Sequence, residues 1–109
     1  MPYSKSLAAR IRQVVSTRSG VVEKKMFGGV AFLLKGNMLV GVWQNSLIAR
    51  LGAEQADKAL RQPHVREFDI TGRAMKGWVM VEPDGVENDG QLGDWIEQAV
   101  AFVATLAAK

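Results

Sequence analysis

At 109 residues, 48% hydrophobic and 23% charged, the chain has the length and composition of one globular domain, 1–109, able to bury a core without metal or disulfide. It contains no cysteine, which excludes disulfides, thiolate nucleophiles and cysteine-ligated zinc and fits a reducing compartment. No run approaches the ~20 apolar residues that span a bilayer, and the first twenty lack the continuous apolar stretch of a signal peptide, so a cytoplasmic protein without membrane contact is expected.

The net charge of +3 is unevenly spread: Met1 to Lys25 carries +5, Met26 to Val81 +3, and Glu82 to Lys109 −5. Such polarity suits phosphate or an acidic partner at the basic end. The preferred reading is simpler: the two ends pack near one another and partly neutralise.

Ser4 or Ser6 can cap a first helix running to about Arg18, with Leu7, Ile11, Val14 and Val15 on one stripe and Gly20 as its left-handed cap. Val21 to Phe27 alternates imperfectly and reads as an edge strand. Gly28-Gly29 breaks it, and paired glycines at such a point indicate a tight bend, a bulge or a close backbone approach. Val30 to Leu34 and Met38 to Trp43 form a hairpin across Lys35-Gly36-Asn37, because Gly and Asn both tolerate positive φ. Gln44-Asn45 makes the next turn, and Ser46 to Leu51 returns with Leu47, Ala49 and Leu51 on one face. These three strands form an antiparallel meander.

Gly52 closes the meander, and Ala53 to Arg61 is a short helix stopped by Gln62-Pro63. Arg66 to Ile70 and Met75 to Glu82 are two further strands about a Thr71-Gly72-Arg73 turn, the second ended by Pro83-Asp84-Gly85. Asn88 or Asp89 caps a last helix with a broad apolar face: Leu92, Trp95, Ile96, Ala99, Val103 and neighbours. The order α-β(3–4)-α-β2-α, without parallel βαβ units, defines an α+β two-layer sandwich with helices on one face of an antiparallel sheet.

Little in this pattern carries chemistry. The single histidine, His64, follows Pro63 in a loop; Ser46 and Asp69 are the partners a triad would need, but a solvated loop histidine is the better account. Glu67 and Asp69 share a strand face, as solvated acids commonly do. One histidine and turn-borne acids make no metal set, so no catalytic residue, metal or cofactor is expected. Phe27-Gly28-Gly29-Val30 lacks the spacing of a phosphate loop. Basic residues are the remaining lead: Lys24, Lys25, Arg50, Arg66 and Arg73 could contact nucleic acid or another anion, with Trp43 and Trp78 as stacking surfaces.

Lys25-Met26-Phe27-Gly28-Gly29, the Gly-Asn hairpin, Leu47-Ile48-Ala49-Arg50, then Gly77-Trp78-Val79-Met80-Val81-Glu82-Pro83 and Leu92 with Trp95 resemble the N-terminal domain of TfoX/Sxy proteins over nearly the whole chain. The resemblance implies a two-layer α+β domain and, for full-length members, regulation of natural-competence genes. Its family motif here is Met26, Phe27, Gly28 and Gly29. Full-length members carry a second, helical domain, so a stand-alone first domain is expected, to which the competence role need not transfer. Arg50 stands where the family often has a lysine.

The functional expectation is therefore a non-enzymatic regulatory or protein-interaction module. Val30, Phe32 and Leu34 alternate with Ala31 and Leu33, so both sides of the meander are apolar, and helices cover only one. The uncovered face, or an exposed strand edge, is left to meet a protein partner or a second copy in a homodimer. A nucleic-acid-binding regulator using the basic residues is the alternative, and an enzyme survives only as a small-ligand pocket between sheet and helices.

Overall fold

Tight turns between apolar, alternating strands place the meander at the centre of the molecule. The computed structural model describes residues 3–16, 18, 20–26, 28–68 and 76–107, with Met26 described by its backbone alone. The elements are α1 (Lys5–Val15), β1 (Val21–Met26), β2 (Gly29–Leu34), β3 (Asn37–Trp43), β4 (Ser46–Arg50), α2 (Ala53–Ala59), β5 (Val65–Glu67), β6 (Trp78–Val81), a 3-10 turn (Pro83–Val86) and α3 (Asp89–Val103). One antiparallel sheet takes the order β1-β2-β3-β4-β6-β5. The fold is α+β, and β1 is an edge strand as its weak alternation indicates.

Alternation alone explains which side meets the helices. Val30, Phe32, Val40, Val42, Leu47, Ala49, Val79 and Val81 join Leu7, Ile11 and Val15 of α1, Ala56 and Ala59 of α2, and Leu92, Trp95, Ile96, Ala99 and Val103 of α3 in one core. All three helices therefore contribute to the layer on this face. A register shift between Phe32 and Leu33 pairs Phe32 with Val40 and Leu33 with Met38, so Leu39 is the extra residue of a bulge. Leu39 consequently joins Val40 in the core instead of facing the other way.

Three local expectations are corrected. The first helix ends at Val15, not near Arg18, because no apolar residue extends its stripe; the Ser16 hydroxyl donates to the Gln13 carbonyl. Gly20 does adopt positive φ, but it turns the chain into β1, where its carbonyl accepts from the Lys35 N–H at 3.0 Å. In the β2–β3 hairpin the positive-φ residues are Lys35 and Gly36. Asn37 instead starts β3 and is buried, its side-chain amide donating to the Ala107 carbonyl at 2.8 Å. A polar residue read as a turn former thus satisfies a backbone carbonyl at the end of the chain.

β4 pairs with β6, not with β5, so the α2 connection carries the chain to the far edge before β6 returns beside the meander. β5 ends at Glu67 and β6 begins at Trp78. The Thr71-Gly72-Arg73 turn, like Asp69 and Ile70, lies outside the described residues.

Asn88, the first of the two caps considered, starts α3. Its side chain accepts from the Gln91 N–H at 2.8 Å, and its own N–H donates to Gln91 Oε1 at 3.1 Å, a reciprocal capping box. Trp95 fixes the approach by donating its indole N–H to the Gly85 carbonyl.

Opposite charge gathers where the chain ends meet. Arg10 pairs with Asp89 at 3.3 Å, and Arg18 pairs with Glu97. Arg12 makes two 2.8 Å hydrogen bonds to Glu23 on β1, tying α1 to the sheet edge. These bonds hold the Glu23 carboxyl below its ordinary value of 4.5 and raise the Arg12 guanidinium. A depressed carboxyl pKa stabilises the folded state above the unfolded value and loses that contribution as pH falls through the folded one. Wild type is thus expected to melt above Glu23→Gln at pH 7, with the gap closing as pH drops below about 4.5. Thermal melts from pH 7 to 3 check this; a constant gap would exclude the pairing as its source.

Candidate interaction surface on the sheet

The face opposite the helix-side core is built by the other half of each strand's alternation. Ala31 and Ile48 are 0% exposed yet stand apart from the helix-side core. Leu33, Met38, Trp43, Trp78 and Met80 are half-buried on this side and likewise absent from the residues packed against that core. The second face is therefore apolar, as the alternation of β2 implies.

Register orders these residues into rows. One row crosses all six strands: Lys24 opposite Ala31, Ala31 opposite Gly41, Gly41 opposite Ile48, Ile48 opposite Met80, and Met80 opposite Arg66. Its middle is small and apolar, and each end is a cation. A second row places Val22 beside Leu33 and Leu33 beside Met38. Val22, 55% exposed, extends the apolar surface to the β1 edge. On the other side Trp43 stands opposite Ser46. Gly41 is small for a reason: a Cβ there would lie 2.9 Å from the Met38 terminal methyl and 2.8 Å from the Val30 carbonyl oxygen.

The five candidate basic residues are only partly brought together. Lys24 and Arg66 lie on the open face at opposite edges, and Arg66 pairs with Glu82 at 3.2 Å. Lys25 pairs in register with Val30 and so belongs to the helix side. Arg50 lies at the end of the sheet, opposite Trp78, its guanidinium 5.3 Å from the Trp78 ring and 5.9 Å from that of Phe102. Arg73 lies outside the described residues. Of the two stacking candidates, Trp78 is already engaged with Arg50 and, at 6.0 Å, with Phe68.

The family-motif glycines have separate backbone roles. Gly28 takes φ +75° in open space, whereas an added Cβ on Gly29 would lie 2.0 Å from the Val42 carbonyl oxygen. Both the bend and the close approach are thus present, one at each glycine. Met26 pairs through its backbone with Gly29, and Phe27 lies outside the described residues.

Residues considered for chemistry are apart. Ser46 and His64 flank the β6 end, with Glu82 between them, which places them about 10 Å apart by strand spacing. Glu67 is exposed on β5, and Asp69 lies outside the described residues. A cleft of about 540 Å³ opens between α2 and α3, lined by Leu51, Ala53, Gln55, Gln98 and Phe102, with Glu54 as the one ionisable group among the described residues that line it. His64 and Asp94 line a smaller cleft of about 230 Å³. Among the described residues no three His, Asp or Glu side chains gather to hold a metal, and no helix is long and apolar enough to cross a membrane.

A small α+β domain with one helix-covered sheet face and a second apolar face outside that core is the class of protein this geometry defines. Its sequence matches the model of the TfoX N-terminal domain over residues 13–103, and the chain belongs to that family. No curated protein matches it.

The row of small and apolar residues was not legible beforehand. Strand alternation assigns each residue a side, but which residues become neighbours depends on the β2–β3 bulge and on β6 inserting beside β4. The signal that was present is narrower: Ala31 and Gly41, small residues in otherwise bulky strands.

Proposed function

We propose that this TfoX-type domain is a non-enzymatic regulatory module, working in the cytoplasm, that docks a protein partner on its helix-free sheet face. The observation carrying this reading is the second apolar surface: Leu33, Met38, Trp43 and Met80 remain half-exposed on a face to which no described helix contributes. Contiguous apolar surface rimmed by charge marks interaction sites. Among the described residues Ser46 and His64, the candidate nucleophile and base, stand about 10 Å apart, which favours binding over catalysis.

Site-specific photo-crosslinking tests the reading. A photoreactive side chain at Leu33 should trap a nuclease-resistant protein adduct in native lysate, and one at exposed Lys58 on α2 should not. A Met38→Glu substitution on the same face should abolish the adduct while leaving the melting curve close to wild type. Equal adducts from both positions, or adducts that vanish with nuclease, would sink it.

A further inference from the structure

We infer that the free edge of β1 takes up an extended acidic segment of a protein partner as a seventh, antiparallel strand, at a site separate from the sheet face proposed above. Backbone geometry comes first. The Gly20 carbonyl accepts from the Lys35 N–H, and β1 runs in unbroken register with β2 from Val21 opposite Leu34 to Met26 opposite Gly29. Hydrogen bonding alternates along such a ladder, so Val22, Lys24 and Met26 turn their N–H and C=O groups toward β2. Val21, Glu23 and Lys25 turn theirs outward, where no described residue bonds them.

Length sets this edge apart from the other one. β1 has six residues, whereas β5 has three, and Arg66 on β5 is already paired with Glu82. A very short edge is protected by its shortness; β1 is not. Its side chains alternate, with Val22 and Lys24 on the face opposite the helix-side core and Glu23 and Lys25 on the helix side.

Charge decides what kind of strand fits. Lys24 and Lys25 are exposed and form no ion pair with a described residue. Glu23 is already neutralised by its two 2.8 Å bonds from Arg12, so it does not turn an incoming carboxylate away. Val22, 55% exposed, offers an apolar neighbour. A segment with acids opposite Lys24 and Lys25 and apolar residues opposite Val21 and Val22 therefore matches the edge. A second copy matches it poorly. A two-fold register that engages Lys25 with an outward residue of β1 sets Glu23 against Glu23, Lys24 against Lys24 or Lys25 against Lys25 of the second copy. Nucleic acid supplies charge but no ladder, because its phosphates offer no donors to the outward carbonyls.

The probe is the peptide acetyl-Thr-Glu-Glu-Thr-Val-Val-Thr-amide, titrated into the isotopically labelled full chain. Antiparallel addition sets its glutamates opposite Lys25 and Lys24 and its valines opposite Val22 and Val21. Hydrogen exchange at the Val21, Glu23 and Lys25 amides should slow, while the Val22 and Lys24 amides, already bonded to β2, should change little. N-methylation separates backbone pairing from charge. A methyl on the central threonine, opposite Glu23, removes a ladder donor and should weaken binding about tenfold; one on the glutamate opposite Lys24, whose N–H points away, should be tolerated. A twin with lysines for glutamates should bind about tenfold more weakly, as should the acidic peptide to a Lys24→Glu, Lys25→Glu variant, with the preference fading in salt. Both positions are exposed, so the variant's spectrum should otherwise match wild type. Equal binding of the two N-methylated peptides, or of the acidic and lysine peptides, overturns the inference. Protection that rises with protein concentration alone marks a second copy and overturns it too, as do larger shifts at Lys24 and Lys25 from a single-stranded oligothymidylate. No protection by the acidic peptide also overturns it, and the Leu33 crosslink then decides the face reading independently.

Discussion

Gly29→Ala is expected to lower stability by about 3 kcal/mol or more, the upper range for overpacking, and to leave the chain largely unfolded if its total stability is modest. The added Cβ would sit 2.0 Å from the Val42 carbonyl oxygen, and that atom is backbone within β3. No side-chain rotation relieves the overlap. The β2 and β3 backbones must part at Val30–Val42, in the middle of the sheet and at the base of the main core. Gly28→Ala is a built-in comparison: nothing lies within 4 Å of its Cβ, and the penalty is the positive φ alone, about 1–2 kcal/mol. Urea titration of both variants measures the contrast. Equal small losses would mean that Gly29 is not fixed by this approach.

The second large effect separates the two faces of β2. Phe32, 1% exposed, points into the core beneath the helices, and Phe32→Ala should cost about 3–5 kcal/mol. Its neighbour Leu33 points to the open face and is half-buried, so Leu33→Ala should cost about 1 kcal/mol by the area it loses. Denaturant midpoints for the pair give the ratio directly. Comparable losses would show that the open face is packed as tightly as the core and is not held free for a partner.

Much of the architecture was legible because it depends on short-range physics. Gly52 and the Pro83-Asp84-Gly85 turn punctuate the chain at the observed start of α2 and end of β6, whereas α2 ends at Ala59, short of the Arg61 expected from Gln62-Pro63. Asn88 and Gln91 announce the start of α3. Errors arose where a residue's partner is far away in sequence. Asn37 was read as a turn residue because Asn tolerates positive φ, yet Lys35 takes that conformation and Asn37 is buried against Ala107. Lys24 and Lys25 were both counted as contacts for one anion, yet they lie on opposite sides of β1 and so on different faces of the sheet. Arg66 was counted as available, whereas Glu82, just past the end of β6, holds it.

By itself the sequence determined the α+β class, the meander, the terminal helices and an apolar pattern on both sides of the sheet. Each follows from periodicity and turn chemistry acting over a few residues. Only the tertiary structure decided that β6 inserts beside β4, that a bulge turns Leu39 inward, and that Lys24 and Arg66 therefore end a single transverse row. Register between distant strands is set by how whole faces pack on the helices, and no local window of residues contains that information.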